Sequence, residues 1–89
     1  MPKFLIKASY TTEGVKGLQK DGGSGRKAAV EKMLGSLGGK LESFYFAFGA
    51  DDVFVVADLP DAVTATAISF TVNASGAVNA STVPLLTVE

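Results

Sequence analysis

From Ala62 to Val88 the chain carries no charged residue. A helix or strand that faces water ordinarily carries several, so a stretch of this length has to be largely covered. The whole chain, 89 residues, is the size of one domain, and a domain this small has little interior to offer. The stretch is therefore read as part of an association surface. Small domains otherwise gain stability from disulfides or metals, and here there is neither Cys nor His. That excludes disulfides and thiolate chemistry and removes the usual ligands of zinc, copper and haem. Carboxylates, hydroxyls and carbonyls suit magnesium or calcium at best. No cofactor and no metal site is expected, and a homo-oligomer, dimer or larger, is.

Charge is split along the chain. Residues 1–40 hold all eight basic residues and three acids, a balance of +5, whereas residues 41–89 hold six acids and no base, a balance of −6. Either the surface is solvated and the split accidental, or oppositely charged halves meet between subunits. The net charge of −1 gives no general attraction to nucleic acid or to anionic lipid. The aromatic run Phe44, Tyr45, Phe46, Phe48 lacks interleaved bases, so nucleic-acid stacking is rejected. No apolar run reaches the roughly 18–20 residues of a membrane span. The apolar part of Met1–Lys7 is too short for a signal peptide. A cytoplasmic protein without membrane or nucleic-acid partners is the expectation.

Alternation of Phe4, Ile6 and Ala8 with Lys3, Lys7 and Ser9 predicts a strand over 2–10. Thr11 and Thr12 are potential helix caps. Helix is expected over 13–20, broken by Asp21-Gly22-Gly23-Ser24-Gly25, with Ser24 capping a second helix over 26–37. The stripe Ala29, Val30, Met33, Leu34, Leu37 marks the buried face of that helix, and Gly38-Gly39 stops it. A strand over 40–48, a turn at 49–52 and a strand over 53–57 make a hairpin; apolar residues on both parities of 53–57 mark a central strand. Pro60-Asp61 opens a further helix over 62–74. Val63, Ala67, Phe70 and Ala74 give that segment its helical spacing, although its alternation also suits a strand. A last strand over 77–88 contains Pro84, which implies a sheet edge or a bulge. The order is α+β, ferredoxin-like βαββαβ, with a four-stranded antiparallel sheet and helices on one face. The apolar second face calls for a partner sheet.

The segments Pro2-Lys3-Phe4-Leu5-Ile6-Lys7-Ala8-Ser9-Tyr10-Thr11, Gly38–Gly49, Asp58-Leu59-Pro60-Asp61 and Ser75–Leu86 together resemble the GYD domain family, over essentially all of 1–89 and in the family's order. The resemblance implies a single domain assembling as a dimeric α+β barrel, in which two ferredoxin-like sheets pack face to face. The Gly-Tyr-Asp turn that names the family reads Gly49-Ala50-Asp51 here, so its tyrosine is missing. Relatives in the wider barrel group include cofactor-independent monooxygenases, isomerases, haem-binding enzymes and small ligand-binding regulators, which is fold analogy alone.

Residues that carry polar chemistry are few. Asp51-Asp52 is a carboxylate pair, but Asp is also an ordinary turn residue, and that explanation is preferred. Lys7 shares its parity with Lys3, Leu5 and Ser9, opposite the regularly apolar face, and so points toward the expected partner sheet. An ammonium taken out of water needs a carboxylate, a carbonyl, water or an anionic ligand. Tyr10 and Tyr45 are hydroxyl donors for the same cavity. Gly22-Gly23-Ser24-Gly25-Arg26-Lys27 lacks the Walker spacing and reads as a helix connection rather than a phosphate loop. With no histidine, the common neutral-pH base is absent. The expected function is a structural or small-ligand-binding module. Its pocket is expected between the sheets, formed by Lys7, Tyr10, Tyr45 and Asp51, with Lys7 its only cation and a small anionic molecule its occupant. The alternative is a cofactor-free enzyme, monooxygenase- or isomerase-like, acting on a small aromatic or carbonyl metabolite.

Overall fold

A computed structural model describes residues 2–88. Its elements run β1 (Lys3–Tyr10), α1 (Thr12–Ser36), β2 (Lys40–Phe46), β3 (Val53–Asp58), α2 (Ala62–Ala74) and β4 (Val78–Leu85). The strands form one sheet in the order β2-β3-β1-β4, every neighbouring pair antiparallel. The fold is the ferredoxin-like α+β arrangement expected. β3, apolar on both parities, is central, and β4, with Pro84, is an edge.

The core lies between the sheet and the helices. Phe4 and Ala8 of β1 and Val53, Val55 and Ala57 of β3 are buried there with Leu34 of α1, Leu59, and Ala65 and Ile68 of α2. Because successive side chains of a strand alternate faces, Leu5, Lys7, Phe54 and Val56 point to the other side. Among the described residues no helix covers that side.

Each helix end is closed by a specific device. Thr11 caps α1, its hydroxyl accepting from the Gly14 N–H at 3.2 Å and donating to the Gly76 carbonyl at 2.6 Å. Gly14 lets the α2–β4 connection approach, since a Cβ there would meet the Ala77 carbonyl oxygen. At the other end the Gly39 N–H reaches the Leu34 carbonyl (2.8 Å) and the Gly38 N–H the Gly35 carbonyl (3.2 Å). With Gly38 at φ 79° this is a Schellman turn. Asp61 caps α2 by accepting from the Thr64 N–H at 2.8 Å.

Two expectations are corrected. The break in α1 is one residue, Gly22 (φ 77°, ψ 165°), with helix on both sides, rather than a loop over 21–25 with Ser24 as a cap. A Cβ on Gly23 would stand 3.1 Å from the Phe46 ring, so the glycine admits that ring against the helix. On α2 the stripe Val63, Ala67, Phe70, Ala74 faces away from the core, with Val63 77% and Phe70 71% exposed. The buried side is Ala65, Ile68 and the half-buried Val72. Polar side chains select it. Ser69 hydrogen-bonds Thr82, and the Asn73 carboxamide closes a ring with Ala80, donating to its carbonyl at 3.2 Å and accepting from its N–H at 2.7 Å.

Candidate functional site

α1 packs on β2 and β1 and α2 on β4, while the two helices touch each other little. Between them the sheet forms the floor of a cavity of about 280 Å³. Ile6 and Val55 lie on the floor, Val30 and Met33 on one wall, and Val72 on the other. Polar side chains in the lining are Tyr10, Arg26, Thr71 and Ser75, and Arg26 is the single charged one. The Ser75 hydroxyl is already committed to the Val72 carbonyl at 2.6 Å. Among the described residues the side chains of Tyr10, Thr71 and Arg26 make no hydrogen bond. The nearest carboxylate to Arg26 is Asp21, at 3.9 Å.

From sequence Arg26 reads as part of a helix connection rather than as a site residue, although a signal for it exists. Ala29, Val30, Met33 and Leu34 follow it at i+3, i+4, i+7 and i+8, so Arg26 extends the apolar stripe by one turn. A lone cation ending an apolar stripe marks the rim of whatever that stripe lines.

The open face is organised in rows across the strands. One row reads Tyr45, Phe54, Lys7, Ser81; the next reads Ser43, Val56, Leu5, Val83. Lys7 is half-buried and Tyr45 is 68% exposed. No ion pair or hydrogen bond engages the Lys7 amine among the described residues. In contrast, Lys3 on the same face reaches Asp58 at 2.9 Å and Glu42 at 3.1 Å. Those hydrogen bonds, Asp58's first, raise its pKa above the ordinary 10.5. Part of the opposite-charge pairing is thus made within one chain. At the α2 cap, the Thr64 N–H holds the Asp61 carboxyl below its ordinary 3.8.

The four residues proposed from sequence do not share one pocket. Lys7 and Tyr45 stand in one row of the open face. Tyr10 lies on the helix-covered face and lines the cavity there. Asp51 sits in the turn before β3. Its neighbour Asp52 is structural, with Oδ2 accepting from the Tyr10 N–H at 2.8 Å and its own N–H donating to the Ala8 carbonyl at 2.8 Å. Among the described residues no three acids are grouped to hold a metal ion. Among the described residues no helix is long and apolar enough to cross a membrane. Among the described residues, the apolar cavity within one chain lies beneath the helices, with Arg26 rather than Lys7 in its lining.

No curated protein and no solved structure matches the chain. A family model, the GYD domain, matches residues 4–89, nearly the full length, and the chain belongs to the GYD domain family.

Proposed function

We propose that this GYD domain is a small-ligand-binding module whose site is the cavity between α1, α2 and the sheet, and that it works as a homodimer joined through the open sheet face. The observation that carries the first part is the cavity itself. Its volume of about 280 Å³ lies near the lower bound of ordinary ligand sites. A dry apolar cavity of about 150 Å³ accommodates benzene, so this one takes a body of about two rings. What supports the second part is the row Val56, Leu5, Val83 beside the row Tyr45, Phe54, apolar on a face that no element covers among the described residues. Lys7 then faces the partner sheet, where it meets a carbonyl, an acid or water.

Fluorescence titration with 2-naphthol, a neutral two-ring probe, tests the site. One molecule is expected per chain. Val30→Phe, which places a ring inside the cavity, is expected to abolish binding while leaving the circular dichroism spectrum unchanged. Failure of the parent protein to bind the probe overturns the assignment of the cavity as a ligand site.

A further inference from the structure

We infer that the cavity is selective for amphipathic monocarboxylates, with an apolar body of about two rings inside and the carboxylate held at the rim by Arg26. This rests on the cavity being a ligand site, and adds the class of ligand and the residue that chooses it.

Among the residues lining the cavity Arg26 is the single ionised one, and the lining contains no acid. Its side chain is 32% exposed, so it lines the apolar cavity and still reaches solvent. Asp21, at 3.9 Å and 49% exposed, is at the outer limit of an ion pair and leaves the fork of donors unused. Five N–H groups in a plane match the two oxygens of a carboxylate. Arg26 also stands in the first turn of the helix that resumes after Gly22, the end at which the helix dipole favours an anion.

Discrimination works in both directions. A carboxylate at the rim exchanges water for charge-assisted hydrogen bonds, and the Tyr10 and Thr71 hydroxyls in the lining are further free donors. A neutral ligand of the same shape covers the guanidinium without pairing it, and a cation is repelled. One cation matches a single negative charge, so a dianion is left partly uncompensated. α1 as a whole, with five bases and three acids, presents a positive wall to an arriving anion, while α2 has no charge.

Calorimetric titration of the full-length protein with 2-naphthoate, 2-naphthol and 2-naphthylmethylamine separates the possibilities. The anion is expected to bind about tenfold or more tightly than the alcohol, as a charge-assisted contact implies, and the amine weakest. Arg26→Gln is expected to bring 2-naphthoate to within about twofold of 2-naphthol. Lys27→Gln, one residue along and solvent-exposed, should leave the preference intact. Equal binding of anion and alcohol by the parent, or a preference that survives Arg26→Gln, overturns the inference while leaving the cavity a ligand site. If no probe binds, the ligand site and its selectivity fall together.

Discussion

The two faces of the sheet are built from the same strands and differ in what completes them. On the helix-covered face Phe4, Ala8, Val53, Val55 and Ala57 are at most 5% exposed. On the other, Tyr45 remains 68% exposed although its neighbours Phe54 and Val56 are equally apolar. The closed face satisfies itself except for one gap between helices that hardly meet. Among the described residues, the open face satisfies its charge at one place, where Lys3 joins two carboxylates, and leaves Lys7 without either. Apolar content alone therefore does not separate a core face from an interface. What separates them is whether the chain supplies its own second layer.

The largest expected effect lies on the closed face. Leu34 is fully buried, and Leu34→Ala should lower stability by about 2–5 kcal/mol in urea denaturation. Phe70→Ala, on the outer side of α2, should change it by about 0.5 kcal/mol or less. Equal losses would erase the distinction between buried and outward sides. Next comes the open face. Val56→Asp puts a carboxylate amid the rows proposed to meet a second copy, and light scattering should report half the parent's mass at micromolar concentration. A parent that is itself monomeric there would remove the open face as an interface.

Lys7→Met sharpens the same contrast through a smaller change. Since Lys7 and Arg26 lie on opposite faces, the variant should keep the parent's affinity for 2-naphthoate within about twofold. A tenfold loss would move the anion site to the open face. Smallest is the contribution of the exposed charges to the pH dependence of stability. Lys3 has a pKa raised above 10.5 in the fold, so its contribution is complete below that pH and is lost as pH rises through the elevated value. Asp61, lowered from 3.8, contributes fully above that pH and loses its contribution as pH falls through the depressed value. Melting temperatures of Lys3→Met and Asp61→Ala across pH should show each dependence vanish separately. A Lys3→Met variant that retains the alkaline decline would assign it to another group.

Much of the architecture was legible because each element carries local signals that agree. Asp61 is a cap, Gly38 is a left-handed stop, β3 is apolar on both sides, and Pro84 belongs at an edge. Sequence places the bounds of α2 but not its orientation, for one reason: with no charge to mark the wet side, two apolar stripes are equivalent on paper. Ser69 and Asn73, through contacts with β4, decide between them. Likewise the three glycines of 22–25 look like a loop until the Phe46 ring is found against Gly23. Arg26 reads from sequence as part of a helix connection because a cation beside a glycine-rich segment suggests phosphate or solvent, whereas its meaning comes from the gap between two helices.

The Asn73–Ala80 ring has a consequence for what the sheet can recruit. Alternate residues of a strand turn their backbone groups to opposite sides, so Ala80, Thr82 and Pro84 present theirs to the outer margin of β4. Asn73 already occupies the groups of Ala80, and Pro84 has no N–H to give. A strand arriving from another molecule meets isolated donors where it needs a ladder. At the opposite margin, the irregularity between Leu41 and Ser43 interrupts β2 in the same way. Both rims are thus blunted against templated fibre growth, and a chain with so much uncharged surface keeps its backbone from extending the sheet without end.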